Sequence, residues 1–145
     1  MSATERIENA DAPTSLYGHW PSFHDAEIHR IVLDRGGDDG PSLSADIHVF
    51  QMTSELSPPR PPEGHQYYVL KNHRLVTLRF HGIQLDELVD FNQQNVISEV
   101  EVAEIDPVEN EGRQFRVSVG TSYGCAFELR CSRIVVSDVR PFDPS

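Results

Sequence analysis

The chain has 145 residues, with 23 Asp and Glu against 12 Lys and Arg and a formal net charge of −11 when the histidines are neutral. This length suits one ordinary domain, which buries enough surface to fold without a disulfide or a metal. The excess of carboxylates excludes nucleic acid as a favoured partner, because phosphate binding needs clustered Lys and Arg, and it favours encounter with a basic protein.

No stretch of the sequence approaches the roughly 18 consecutive apolar residues that cross a bilayer. Residues 1–15 are polar and acidic, where a secretory signal would be basic and then apolar. We therefore expect a cytoplasmic protein with no membrane partner. The cysteines agree, since Cys125 and Cys131 on one strand would be about 20 Å apart, whereas a disulfide tolerates about 7 Å. We expect two buried thiols.

The first elements follow in chain order. Residues 1–15 supply almost no periodic apolar positions and are predicted to form a flexible N-terminal tail, ahead of a single β-rich domain over 16–145. A first strand is predicted over 26–34. A turn rich in Gly and Asp over 35–41 leads to a second strand, whose apolar residues alternate with polar ones: Leu43, Ala45, Ile47 and Val49. These two strands are expected to form a hairpin.

Residues 53–66 are rich in proline, which lacks a backbone donor, so they are predicted to form an exposed loop. The next strand is predicted over 75–81. Apolar residues at i, i+3 and i+4, with acidic residues in the first turn, predict one short helix over 85–92.

Three more strands are predicted over 97–105, 114–121 and 126–137, the last bent near Cys131 and Ser132. The strands do not alternate with long helices, so antiparallel pairing with short connections is the economical arrangement. The predicted fold is therefore α+β: a mainly antiparallel, curved sheet or small sandwich with one short helix.

The densest group of chemically versatile side chains lies in the segment 20–29. On a strand, Asp25, Glu27 and His29 would share one face, as in a metal site or an acid–base pair. Because Ile31 and Leu33 continue that face, we expect it to be buried, where a carboxylate needs hydrogen-bond partners. Structural roles for these residues are the preferred interpretation. The alternative is a small metal-dependent hydrolase that uses His24, Asp25, Glu27 and His29.

Other catalytic signals are weak. The remaining histidines lack the spacing of a zinc protease helix, and His48 and His81 fall on predicted solvent-facing strand positions. The sequence has neither a Gly-x-Ser-x-Gly nucleophile elbow nor a glycine loop that leads into a helix and could hold phosphate. We therefore expect no enzymatic activity, no cofactor and no metal.

Carboxylates are concentrated between residues 99 and 111, with no Lys or Arg among them: Glu99, Glu101, Glu104, Asp106, Glu109 and Glu111. One explanation is a solvated strand face and turn. The other is a contact surface for a basic partner, to which Asp38 and Asp39 of the first turn would also belong.

Three parts of the sequence carry a family resemblance. They are YGHWPSFHDAEI over 17–28, DFNQQNVI over 90–97, and Tyr123-Gly124 with Cys131 and 134–136. Together they resemble the bacterial immunity proteins of polymorphic toxin systems, in particular the immunity protein fifty family. The resemblance implies a small cytosolic protein that binds and neutralises a cognate toxin, and it supplies no catalytic residues. The matching positions are expected to be structural: Trp20, Phe23, His24, Asp25, Glu27, Asn92 and Asn95.

The combined prediction is an immunity protein that binds a basic toxin through an acidic surface. A scaffold domain without a toxin is a third interpretation, beside the hydrolase. Edge strands of the predicted sheet leave homodimer formation open.

Overall fold

The computed structural model describes residues 3–59, 64–106 and 112–144. Within these ranges eight strands form a single sheet, and all of its strand pairs are antiparallel. The strands are β1 (Glu27–Asp34), β2 (Ser42–Leu56), β3 (Tyr68–His81), β4 (Gln84–Val89), β5 (Val96–Ile105), β6 (Gln114–Tyr123), β7 (Ala126–Cys131) and β8 (Arg133–Pro141). Their order across the sheet is β4-β7-β6-β5-β1-β2-β3-β8.

The sheet curves around one apolar core. Alternate residues of β2, β3, β6 and β7 are buried on its inner face, as period-two alternation requires. Phe80 of β3 lies against Phe127 of β7, with ring centroids 6.1 Å apart. The two halves of the sheet join where Glu27 of β1 pairs with Val96 of β5. The predicted α+β class with a curved antiparallel sheet is confirmed.

The helix was predicted in the wrong place. Residues 84–89 form the edge strand β4, in which Leu85 pairs with Leu129 and Leu88 pairs with Phe127. The register shifts between Leu85 and Glu87, so one extra residue places two leucines three positions apart on the same face. A bulged strand therefore imitates helical spacing. Among the described residues, the α-helix is α1, Asp11–Tyr17.

Residues 3–15, predicted as part of a flexible tail, instead pack on the sheet. A 3-10 helix spans Ala3–Arg6, and Ile7 is only 5% exposed within the core. The backbone N–H of Glu8 donates to the Ile134 carbonyl (2.9 Å), and the Val136 N–H donates to the Glu8 carbonyl (2.9 Å). One apolar side chain and two backbone hydrogen bonds hold this segment. Such contacts produce no periodic pattern in the sequence.

Strands β2 and β3 project beyond their neighbours. β1 pairs with β2 only as far as His48, and β8 pairs with β3 only as far as Arg74. The segments 49–56 and 68–73 therefore form a two-stranded arm, called the arm below. Residues 53–56 of the predicted loop belong to this arm, and residues 60–63 lie outside the described residues.

The strands predicted over 97–105 and 114–121 are confirmed with small changes at their ends, and the strand predicted over 75–81 begins earlier, at Tyr68. The single bent strand predicted over 126–137 is wrong. The chain breaks at the predicted bend into β7 and β8, which pair with different strands on opposite sides of the sheet. Across the described ranges, no helix is long and apolar enough to cross a membrane. β4 and β8 are the edge strands, and dimerisation through an edge stays a prediction.

Candidate binding surfaces

A row of carboxylates crosses the outer face of β5, β6, β7 and β4. The register places Glu101 opposite Ser118, Ser118 opposite Glu128, and Glu128 opposite Glu87. Directly opposed side chains in a sheet have Cβ atoms about 4.5–5.5 Å apart, a spacing at which like charges repel. None of the three carboxylates forms an ion pair with the part of the chain that the structure describes. Glu87, Glu101 and Glu128 are called the carboxylate row below.

The predicted acidic contacts divide into solvated and paired groups. Glu99 and Glu101 are exposed on the outer face of β5, and Asp38 and Asp106 are exposed at the ends of strands. Glu109 and Glu111 lie outside the described residues. The sequence prediction missed Glu87, which it assigned to the helix, and Glu128, which is the only acid of its strand.

Two of the predicted contacts are already paired with arginines. Asp39 accepts a hydrogen bond from Arg133 (2.6 Å), and Glu104 lies 3.1 Å from Arg113 and 3.9 Å from Arg6. Arg133 also binds both carboxylate oxygens of Glu8, and these hydrogen bonds lower the pKa of Glu8. Asp39 and Glu104 are therefore less available to a partner than the carboxylate row.

Asn95 has a structural role. Its side chain is 2% exposed and makes four hydrogen bonds. The amide oxygen accepts from the backbone N–H groups of Asn92 (2.9 Å) and Cys125 (3.0 Å), and the amide nitrogen donates to the carbonyls of Ile28 (3.2 Å) and Asn92 (2.7 Å). One side chain thus joins β1, the turn before β5 and the turn before β7. Gly124 lies beside this junction with a φ of +85°, and a Cβ added there would be 2.7 Å from Oδ1 of Asn95.

The segment that leads into β1, residues 17–26, is called the lead-in segment. Phe23 is 3% exposed and packs edge-on against Trp20, with ring centroids 5.6 Å apart. Phe23 and Asp25 have φ values of 63° and 65°, a region that costs a residue with a side chain about 1–3 kcal/mol. His24, between them, is exposed, and its Nδ1 lies 2.9 Å from the Ser98 carbonyl oxygen.

The predicted buried face of β1 is wrong. Ile28 is buried opposite Ile47, which places Glu27 and His29 on the outer side, and the register shifts between Ile28 and Arg30. Leu33 is 52% exposed. Within residues 3–59, 64–106 and 112–144, no three His, Cys, Asp or Glu side chains are arranged to hold a metal ion. The hydrolase alternative therefore gains no support.

Two further sequence expectations can be compared with the structure. Cys125 and Cys131 are free and buried, as predicted, and burial raises the pKa of Cys131 to about 12. His81 is half-buried, so the prediction that it faces solvent is wrong. Its side chain is 17% exposed, and burial lowers its pKa.

His48 is also half-buried, in a ring cluster on the outer face at the base of the arm. Its Nε2 lies 2.9 Å from Nδ1 of His73, and the Phe142 ring covers it at a centroid distance of 4.4 Å. His29 lies at its other side, with centroids 6.0 Å apart. Burial above all, and then the positive charges that His73 and His29 can carry, lower the pKa of His48 from 6.5 to about 4.

This shift predicts a loss of stability in mild acid. The unfolded chain binds a proton on His48 more tightly than the folded chain, so the stabilisation is complete above about pH 6.5 and is lost as the pH falls towards about 4. Solvent screening around a half-buried ring reduces the effect to about 1 kcal/mol. Urea unfolding between these pH values should show a shallower pH dependence in His48→Phe than in the wild type. Equal slopes would contradict the prediction.

The arm and the adjoining Tyr67 expose several large apolar side chains. Met52 is 58% exposed, Leu56 51%, Tyr67 47% and Tyr68 53%. Met52, Tyr67 and Tyr68 line a broad, mostly apolar groove, which reaches His48 and His73. Contiguous exposed apolar surface is typical of protein-binding regions.

Comparison with known proteins gives one match. The model of the family described as Immunity protein 50 matches residues 9–142, which is nearly the whole chain. No curated protein and no solved structure matches the chain.

Proposed function

Since the chain belongs to the Immunity protein 50 family, we propose that it binds a cognate bacterial toxin in the cytoplasm and neutralises it by direct contact, without catalysis. The toxin presents a basic cleft, which the acidic surface of this protein covers. The chain thereby protects the cell that makes it.

The carboxylate row is the observation that supports an acidic contact surface. Glu128 lies directly opposite Glu87, and Glu101 is separated from Glu128 by a single strand. Their mutual repulsion opposes folding. A basic partner would relieve that repulsion, and the same field would increase the rate at which the partner associates.

The arm would supply the apolar part of the contact. Stable interfaces combine a desolvated apolar centre with a polar rim, and aromatic side chains contribute much of the binding energy. Tyr67 and Tyr68, beside Met52 and Leu56, offer such a centre. Asp39 and Glu104 are secondary candidates because arginines already neutralise them.

Capture from the native host tests the function itself. The full chain, immobilised on beads, should retain a basic protein that kills cells when expressed alone. Co-expression of the full chain should restore survival. Failure to capture such a protein and to restore survival would reject the proposed function.

The acidic surface has a separate test. In Glu87→Gln/Glu101→Gln/Glu128→Gln we expect the association rate constant with the captured toxin to fall about 10-fold at low salt, because the attractive field is weakened. The difference should shrink at high salt, which screens exposed charges. Surface plasmon resonance at two salt concentrations measures both effects.

A matched control removes the same number of charges elsewhere. Glu5→Gln/Asp11→Asn/Asp34→Asn has the same net charge as the test variant and leaves both the carboxylate row and the arm intact. Its association rate should stay within about 3-fold of the wild type. Equal rates in the two triple variants would reject the carboxylate row as a contact, while neutralisation by another surface would still stand.

A further inference from the structure

A cavity of about 350 Å³ separates the lead-in segment from the arm. Among the described strands, none covers residues 49–52 of β2 on this side, because β1 first meets β2 at His48. The lead-in segment instead turns towards β5, where the Asp25 N–H donates to the Ile97 carbonyl (3.0 Å). The walls of the cavity include Tyr17, His19, His24, Asp25 and Phe50.

The protonation of the His24 ring follows from its contact with Ser98. A carbonyl oxygen can only accept, so Nδ1 of His24 carries the hydrogen in their 2.9 Å hydrogen bond. In the neutral ring, Nε2 is therefore an acceptor. This nitrogen lies 3.6 Å from Oδ2 of Asp25, and the two side chains are 65% and 47% exposed.

The cavity thus presents two acceptors side by side. At 3.6 Å the nitrogen and the carboxylate oxygen are too far apart for a direct hydrogen bond, and when the imidazole is neutral neither atom carries a hydrogen. A group with several donors and a positive charge would satisfy both. A metal ion fits poorly, because the described residues bring no third ligand to this pair.

We propose that this cavity binds the guanidinium group of an arginine side chain presented by the cognate toxin; the identity of the partner rests on the proposed function. The planar fork of guanidinium donors can reach His24 Nε2 and the Asp25 carboxylate together. Tyr17 and Phe50 also line the cavity, and an aromatic ring attracts a guanidinium that lies over its face. No Lys or Arg lines the cavity, so no permanently charged cation of the cavity wall competes for its single carboxylate.

The strained turn supports a positioned pair. Both residues that flank His24 have positive φ, although neither is a glycine. Their backbone is held by the bond from Asp25 to Ile97 and by a bond from the Ala26 N–H to the Phe23 carbonyl (3.0 Å). The turn therefore fixes the backbone of both residues, and the hydrogen bond to Ser98 holds the imidazole beside the carboxylate.

A small probe tests the site on the full-length protein. N-acetyl-arginine methylamide is titrated into the ¹⁵N-labelled chain, beside N-acetyl-citrulline methylamide, which has the same shape without the charge. We expect saturable amide shifts at residues 22–26 and 49–52 with the arginine probe, and at least about 10-fold weaker binding of citrulline. Absence of saturation, or equal binding of both probes, would overturn the inference.

Two variants complete the test. Asp25→Asn keeps the size of the side chain, and asparagine tolerates positive φ well, so the turn is retained. This variant should lose at least about 10-fold in affinity for the arginine probe and for the captured toxin. Asp34→Asn removes the same charge at the end of β1, keeps an acceptor for the Gly36 N–H and should behave like the wild type.

The outcomes separate this inference from the proposed function. If Asp25→Asn binds the toxin as tightly as Asp34→Asn does, the cavity is not where a toxin arginine binds, yet neutralisation stands. If the chain neutralises no toxin, the proposed function is rejected. A toxin arginine is then rejected as the ligand of the cavity as well. The site is supported if Asp25→Asn, but not the control variant, loses affinity for the toxin and also loses the amide shifts caused by the arginine probe.

Discussion

Asn95→Ala is expected to lower the free energy of unfolding by about 3–4 kcal/mol. The substitution leaves the buried Cys125 N–H and the Ile28 carbonyl without a partner, and each such group costs about 1–3 kcal/mol. It also removes both hydrogen bonds to Asn92 and so frees the turn before β5. Urea unfolding followed by circular dichroism measures the loss.

The exposed neighbour Gln93 provides the control for this prediction. Gln93→Ala changes the same turn and should alter stability by less than about 0.5 kcal/mol. At a temperature where Asn95→Ala is still folded, its affinity for the captured toxin should equal that of the wild type, because the side chain is buried. A stability loss below about 1 kcal/mol would show that Asn95 does not hold the junction.

Gly124→Ala is expected to cost at least about 3 kcal/mol, for two separate reasons. A Cβ at this position would lie 2.7 Å from Oδ1 of Asn95 and closer still to the Gln94 carbonyl oxygen, which is backbone and cannot move freely. In addition, a φ of +85° is unfavourable for any residue with a side chain. The same urea experiment applies, and loss of folding would be the extreme form of this result.

Gly18 separates the two causes. It has nearly the same φ, +82°, at the end of α1, but a Cβ there would meet nothing within 4 Å. Gly18→Ala should therefore lower the free energy of unfolding only by the cost of the positive φ, about 1–2 kcal/mol. If Gly18→Ala and Gly124→Ala lowered the free energy of unfolding equally, the close approach of Gly124 to Asn95 would contribute nothing to stability.

Asn95 and Gly124 also show how far the family resemblance could be interpreted from the sequence. Asn95 and Gly124 belong to different parts of the matching pattern, 29 positions apart along the chain, and the pattern alone favoured a structural role without giving its mechanism. The mechanism is a shared contact, because Oδ1 of Asn95 accepts the hydrogen bond of Cys125, the residue after Gly124. His24 and Asp25, from the same pattern, are instead exposed beside a cavity.

Local patterns were sufficient for most strands, because alternation of apolar and polar residues reports directly which face is buried. They failed at β4, where a bulge placed Leu85 and Leu88 at helical spacing, and at Ile7, where one buried side chain fixes the N-terminal segment. They also failed on the face of β1, because the register shift after Ile28 reverses the alternation. A bulge changes the period by one residue and leaves no signal in composition.

The sequence by itself determined the β-rich class, most strand limits, the acidic charge and the family. Only the tertiary structure brought Glu87 and Glu128 into line with Glu101, paired Asp39 with Arg133, and placed His24 and Asp25 across a cavity from the arm. Alternation of apolar and polar residues relates neighbours along the chain, so the sequence shows it directly. Neighbours across a sheet are set by strand order and register, which depend on contacts between residues far apart in the chain.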